Sequence, residues 1–93
     1  MVLPSVKYKE WHTEWAYKIA SSRPNKPLER CKVEILYYAG TKRKKDLDNA
    51  NSSILDLLKD TGYILDDNWF VVEEVNSKFM GIDKNPRAEI EIN

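Results

Sequence analysis

Three aspartates are the residues of this sequence best suited to chemistry. Asp46 and Asp48 are two positions apart, Asp67 lies further along, and directly before the first pair comes a basic run of Lys42, Arg43, Lys44 and Lys45. Carboxylate oxygens are ligands that Mg²⁺ prefers, and Mg²⁺ keeps several waters that leave room for a substrate phosphate. Consecutive cations suit a nucleic-acid backbone. The pattern predicts a magnesium-type carboxylate site presented to nucleic acid.

The same residues also have ordinary structural roles. An aspartate before a helix is commonly its N-cap, and Asp66-Asp67-Asn68 has the composition of a solvated turn. A short basic run is commonly a solvated loop. The spacing of these residues alone does not decide between these structural roles and a metal site.

The length and composition limit the class of protein. A chain of 93 residues predicts one domain, residues 1–93, with one modest core. Its single cysteine, Cys31, excludes an internal disulfide framework and favours a reducing compartment, so the cytosol is expected. No apolar run approaches the roughly 20 residues of a membrane span, and Met1 to Leu3 is too short for a signal-peptide core.

The net charge of zero conceals a strong asymmetry between the two halves. Residues 1–45 hold eleven Lys or Arg against four Glu, a net +7, and residues 46–93 hold four against eleven, a net −7. Such asymmetry is typical of nucleic-acid partners. Oppositely charged halves that neutralise each other on one surface are the alternative.

Hydrophobic periodicity predicts two amphipathic helices. The first begins near Ser5 and ends between Ser21 and Arg23, before Pro24, with an apolar stripe of Tyr8, Trp11, Trp15 and Ile19. The second follows Asp46 and ends before Gly62, with an apolar stripe of Leu47, Ala50, Ile54, Leu55, Leu57 and Leu58.

Three strands complete the predicted fold. They cover residues 29–39, 71–79 and 87–92, where apolar and β-branched residues alternate with polar ones. Turn residues between the last two strands favour an antiparallel hairpin, and the middle β-α-β unit is expected to be parallel and right-handed. The prediction is an α+β fold, with two helices packed on a small mixed sheet, in the order α-β-α-β-β.

This topology creates a difficulty for a three-carboxylate site. Asp46 and Asp48, if extended, point to the same side while Leu47 turns to the core. Asp67, after a helix parallel to the strands, would lie roughly 20 Å away by helix rise. Either the strand after Asp67 is antiparallel and the helix packs obliquely, or a dimer interface completes the site.

Other reactive residue types have no catalytic partner in the sequence. His12 is predicted on the polar side of the first helix and Cys31 inside a strand, so structural or surface roles are expected for both. No glycine-rich phosphate loop, CxxC pair or nucleophile elbow is present.

Several segments together resemble the RusA family of phage and prophage Holliday-junction resolvases. They are Lys42-Arg43-Lys44-Lys45-Asp46-Leu47-Asp48-Asn49, an amphipathic helix, Gly62-Tyr63-Ile64-Leu65-Asp66-Asp67 and Val71-Val72. Tyr8-Lys9-Glu10-Trp11 is similar to the start of that family's first helix, and Pro86 to Ile92 is similar to its last strand.

The resemblance implies a function for these positions. Asp46, Asp48 and Asp67 match the family's catalytic, metal-binding carboxylates, and Lys42, Arg43, Lys44 and Lys45 match its DNA-contacting loop. The family implies a homodimer that uses Mg²⁺ or Mn²⁺ to nick two opposed strands of a four-way DNA junction, in a bacterial host cell and encoded by phage or prophage.

The sequence departs from the family in two places. Ser52 stands where family members commonly have a lysine. Lys59 is two turns too far along the helix to replace it, whereas Lys44 or Lys45 could. Family members also usually begin with a further strand, whereas this chain starts almost at the first helix, and the loss of that strand would expose a sheet edge for a partner to cover. The alternatives are therefore a resolvase-like protein that binds branched DNA or a protein partner with little cleavage, or a plain interaction domain.

Overall fold

Apolar residues that alternate along the strands form one face of a four-stranded mixed sheet. Two helices cover this face, and the core lies between the helices and the sheet. This computed structural model describes residues 1–4, 11–42 and 44–93. The elements are β1 (Val2–Pro4), α1 (Trp11–Ile19) with a 3₁₀ turn (Ala20–Ser22), β2 (Cys31–Ala39), α2 (Leu47–Asp60), β3 (Val72–Ile82) and β4 (Arg87–Ile92). The predicted α+β class, with two helices on a small mixed sheet, is confirmed.

The sheet order is β1-β4-β2-β3, so β2 occupies an inner position. Its residues Cys31, Val33 and Ile35 are buried, and Lys32 and Glu34 between them are exposed on the other face. β2 and β3 are parallel, as predicted for the unit joined by α2. The beginning and end of α2 therefore belong to opposite ends of the sheet.

The predicted hairpin between the last two strands is wrong. β4 is antiparallel to β2 and to β1, while β3 is parallel to β2 on its other side. The burial of each strand gives the physical reason: Ala88 and Ile90 of β4 are buried, whereas most of β3 is exposed. The more apolar strand takes the inner position, and β3 takes an edge.

A short strand, β1, precedes α1, and the sequence did not predict it. β1 pairs with β4, the Met1 ammonium donates to the Ile90 carbonyl at 2.9 Å, and the Ile90 amide donates back to Met1 at 2.7 Å. Leu3 is fully buried. A strand of three residues that ends in proline is too short to show a period in sequence. The edge of β4 is thus covered by the chain itself.

α2 forms as predicted and ends in a Schellman motif. The Gly62 amide donates to Lys59 at 3.1 Å, and the Tyr63 amide donates to Leu58 at 2.9 Å, with Gly62 at φ +86°. The buried stripe is Ala50, Ile54, Leu57 and Leu58. Leu47 is 42% exposed, so the expectation that it turns to the core is wrong.

α1 has the predicted end, and its predicted start at residues 5–10 lies outside the described residues. Ile19 is buried and Trp15 packs against the core. The Tyr63 hydroxyl donates to the Ile19 carbonyl at 2.9 Å, which ties the end of α1 to the segment after α2. Within the described residues, no helix has the length and apolar character that a membrane crossing requires.

The difference in burial between two leucines of α2 gives a test of its orientation. We expect Leu57→Ala to lower the free energy of unfolding by about 2–5 kcal/mol, because it removes most of a fully buried side chain and leaves a cavity in its place. The matched control, Leu47→Ala, should change it by about 0.5 kcal/mol or less. Urea denaturation measures both, and equal losses would contradict the observed face of the helix.

Candidate metal and DNA site

Asp46 occupies the N-cap position of α2 without acting as a cap through its side chain. Its backbone is extended, with φ −75° and ψ 130°, and its carbonyl accepts the Ala50 amide at 3.2 Å. The carboxylate makes no capping hydrogen bond. It therefore remains available to a ligand, at the helix end where the backbone amides favour negative charge.

Asp48 lies in the first turn of α2 and is exposed. The helix already begins at Leu47, so the expectation that residues 46 to 48 form an extended stretch is wrong. The two-residue repeat of a strand therefore does not align the two carboxylates, since Asp46 is the N-cap residue and Asp48 lies in the first helical turn. Both stand at the start of α2, which follows the end of β2.

A chain of polar side chains fastens this end of α2 to the sheet. The Tyr37 hydroxyl of β2 donates to Asn51 Oδ1 at 2.7 Å, and Asn51 Nδ2 donates to Ser77 Oγ of β3 at 3.0 Å. Burial raises the pKa of Tyr37 well above its usual range, so the phenol stays a proton donor. Asn51 is three residues after Asp48 and holds that turn in place.

Sequence reasoning did not find Asn51. Its signal was weak, because a single polar residue on the inner side of an amphipathic stripe looks like an interruption of the stripe. Only the strand order shows that it faces two strands at once and can join them.

The basic segment connects β2 to the aspartates. Lys42, Lys44 and Lys45 are exposed, and Arg43 lies outside the described residues. Lys45 adjoins Asp46, and neighbouring protein atoms displace part of the water around its ammonium group, which lowers its pKa. The exposed lysines and the two carboxylates thus share one end of the sheet.

Asp67 belongs to a second acidic group, near the start of β3. Lys59 Nζ lies 3.4 Å from Asp66 Oδ1, and the Asp67 amide donates to the same oxygen at 2.7 Å. That amide, together with a hydrogen bond to the Asp67 carboxyl, lowers the pKa of Asp66; the hydrogen bond to Asp66 raises the pKa of Asp67. Asp67 also lines an open pocket of about 480 Å³.

One subunit does not bring the three predicted carboxylates together. In the described part of the chain, no three His, Cys, Asp or Glu side chains are grouped so that they could hold a metal ion. The fourteen residues of α2 separate Asp46 from the Asp67 turn by roughly 20 Å of helix rise. Because β3 is parallel to β2, an antiparallel strand after Asp67 is excluded as a way to close that distance.

The remaining candidates have structural surroundings. His12 Nε2 lies 2.9 Å from Asp60 Oδ2 and links α1 to the end of α2. Cys31 is buried, and burial raises the pKa of its thiol. Ser52 is exposed on α2 one turn after Asp48, and Lys59 is engaged at the opposite end of the helix.

The polar chain through Asn51 predicts a stability effect. We expect Asn51→Ala to lower the free energy of unfolding by about 1–3 kcal/mol, because it leaves the Tyr37 hydroxyl without its acceptor. Its exposed neighbour supplies the control, since Ser52→Ala should change stability by about 0.5 kcal/mol or less. Thermal and urea unfolding measure both. An unchanged free energy of unfolding in Asn51→Ala would show that these side-chain hydrogen bonds do not stabilise the protein.

Comparison with known proteins gives the family of this chain. A search of the curated proteins finds no match. The model of the family described as endodeoxyribonuclease RusA matches residues 1–93, every residue of the sequence. That range includes the basic segment, the start of α2 with Asp46 and Asp48, and the turn with Asp67. The chain belongs to the RusA endodeoxyribonuclease family.

Proposed function

We propose that this protein is a metal-dependent endodeoxyribonuclease that resolves four-way DNA junctions by paired nicks. The observation that carries the proposal is the Asp46 carboxylate, left unused at the N-cap of α2 beside Asp48 and an exposed basic segment. The family match supports the same activity. We place its action in a bacterial host cell, with a phage or prophage gene as its source.

The donor set at the start of α2 fits a hard divalent cation. Mg²⁺ is commonly held by one or two carboxylates and keeps several waters, and Mn²⁺ accepts the same oxygen ligands. Asp46 and Asp48 would hold the ion, and Asp67, which lies apart from them within one subunit, would complete the site across a dimer interface. When held there, such a cation would supply charge stabilisation for the phosphate and would make a water nucleophilic at neutral pH, chemistry that leaves 5′-phosphate and 3′-hydroxyl ends.

The protein's own side chains would position the DNA strand. Lys42, Arg43, Lys44 and Lys45 would hold phosphates without reading base sequence, because an ammonium group recognises charge and not base edges. A phosphate beside Lys45 supplies the counter-charge that favours its protonated form. The hydrogen bonds of Asn51 with Tyr37 and Ser77 hold the first turns of α2 on the sheet, and would thereby hold Asp46 and Asp48 in position beside that strand.

Paired nicks require two sites at a fixed separation. A homodimer supplies them, because its two-fold axis matches the near two-fold symmetry of a four-way junction. Specificity would then come from junction shape and from the separation of the two sites.

A second candidate function is binding of branched DNA, or of a protein partner, with little cleavage. Two observations favour it: Ser52 in place of the family's usual lysine, and an Asp67 that lies apart from Asp46 and Asp48 within one subunit. Both affect turnover and leave the exposed basic segment intact.

A nicking assay on a labelled four-way junction with Mg²⁺ or Mn²⁺ separates the two functions. We expect symmetric nicks from the wild-type protein and a loss of about a hundredfold or more in Asp48→Asn, which removes charge from the cation site. Asp56→Asn, an exposed aspartate in the middle of α2, is the control and should retain activity. Tight junction binding without nicks would support the second candidate, and no preference for junction over duplex would contradict both.

Salt dependence tests the basic segment. We expect the double variant Lys44→Ala, Lys45→Ala to bind the junction more weakly and to reduce the slope of log affinity against log salt by about 2, since each phosphate contact contributes about 0.9. Lys26→Ala, an exposed lysine before β2, should leave the slope unchanged. Fluorescence anisotropy at several salt concentrations measures it, and equal slopes for all three proteins would remove this segment from the interface.

A further inference from the structure

The link between β3 and β4 crosses the end of β2, where the basic segment begins. β2 lies between β3 and β4 in the sheet, so residues 83–86 must pass over β2 to join them. The Asp83 amide donates to the Ala39 carbonyl at 2.8 Å, and Arg87 of β4 pairs with Tyr38. From Ala39 the chain continues into the basic segment and then to the start of α2. The turn of residues 83–86 therefore lies at the same end of the sheet as the candidate metal site.

The turn is in direct contact with the chain that leaves β2. A β-carbon at Gly40 would lie 3.0 Å from Cγ of Pro86, which is tighter than ordinary side-chain packing. Glycine at this position thus allows Pro86 to approach the first residue after β2 closely. The guanidinium carbon of Arg87 lies 3.8 Å from the centre of the Tyr38 ring, a cation–π contact that joins the start of β4 to the end of β2. These contacts hold the turn against the exit of β2.

Hydrogen bonds also order the turn from within. Asp83 Oδ1 accepts the Asn85 amide at 2.9 Å, which is the pattern of an Asx turn. Arg87 closes the turn, because its Nη1 donates to the Asn85 carbonyl at 2.9 Å and lies 3.3 Å from Asp83 Oδ1. Its Nε donates to Glu89 Oε2 at 2.9 Å. The turn is thus ordered by the protein itself, and its own carboxylate is occupied by Arg87.

Lys84 is exposed in this turn and makes no ion pair with the described part of the chain. Its acidic neighbour, Asp83, faces Arg87 instead. The lysines and arginines that lack an ion pair in residues 1–4, 11–42 and 44–93 are Arg23, Lys26, Lys42, Lys44, Lys45, Lys78 and Lys84. Three of these belong to the basic segment, and Lys84 joins them at the end of the sheet where α2 begins. A cation without a carboxylate partner can bind a phosphate without first breaking an ion pair.

We propose that Lys84 binds a backbone phosphate of the junction, so that the DNA-binding surface extends from the basic segment across the end of β2 to the turn of residues 83–86. The inference rests on the proposed function for the identity of the DNA. A lysine binds phosphate as a point charge and does not read base edges, so Lys84 adds affinity without sequence preference. Because Arg87 and Asp83 already order the turn, binding does not incur the entropic cost of ordering a loop.

Salt-dependent binding of a labelled four-way junction, measured without divalent metal so that no cleavage occurs, tests this contact. We expect Lys84→Ala to bind more weakly and to reduce the slope of log affinity against log salt by about 0.9, the contribution of one phosphate contact. Lys84→Arg keeps the charge and should keep the wild-type slope. Lys26→Ala, an exposed lysine before β2 without an ion pair in the described residues, is the matched control and should also keep it. A wild-type slope in Lys84→Ala overturns the contact.

Photo-cross-linking locates the DNA independently of the slope. Asn85→Cys, labelled with an azidophenacyl group, should cross-link to the junction on irradiation, whereas Lys26→Cys labelled in the same way should not. The substitution keeps the turn, because both hydrogen bonds of Asn85 come from its backbone, and the native thiol of Cys31 is buried.

The two assays separate this contact from the nuclease function. If the wild-type protein makes no nicks with Mg²⁺ but Lys84→Ala lowers the slope and Asn85→Cys cross-links, the nuclease function fails and the contact stands. If the wild-type protein nicks the junction while Lys84→Ala keeps the wild-type slope and Asn85→Cys gives no cross-link, the contact fails and the nuclease function stands.

Discussion

The parallel pairing of β2 with β3 is the constraint on which the rest of this structure depends. Two parallel neighbours need a crossover, and α2 supplies it across the buried face of the sheet. The start of α2 consequently follows the end of β2, and its end leads to the start of β3. Two groups of carboxylates that are close in sequence are thereby placed at opposite ends of the sheet.

The local environment of each acidic group suits a different role. Asp46 keeps its carboxylate free at a helix start, beside exposed lysines and a turn anchored by Asn51. Asp67 shares hydrogen bonds with Asp66, which Lys59 partly neutralises. The first group lies beside a turn that hydrogen bonds join to the sheet, whereas Asp67 is exposed after the end of α2.

Much of the fold follows from local patterns in the sequence, and the rest depends on contacts that have no local signal. α2 is predictable from sequence because its apolar stripe and the glycine at its end, Gly62, indicate the same helix. β4 is predictable because Ala88 and Ile90 alternate with glutamates. The strand order depends instead on which strands pair on both of their edges, and β1 depends on its pairing with β4 and on the burial of Leu3. Leu47 was misassigned because a residue at the first position of a helix can be apolar without facing the core.

The candidate site, like the fold, is predictable from sequence only in part. Residue types and the family resemblance identify Asp46, Asp48 and Asp67, yet their spacing does not show that α2 separates them, nor that Asn51 joins two strands. The most direct test of the site is Mn²⁺-induced broadening of amide signals in an ¹⁵N-labelled sample at substoichiometric metal. The account predicts that signals of residues 46–49 and 66–68 broaden together. Broadening that leaves residues 46–49 sharp would contradict it.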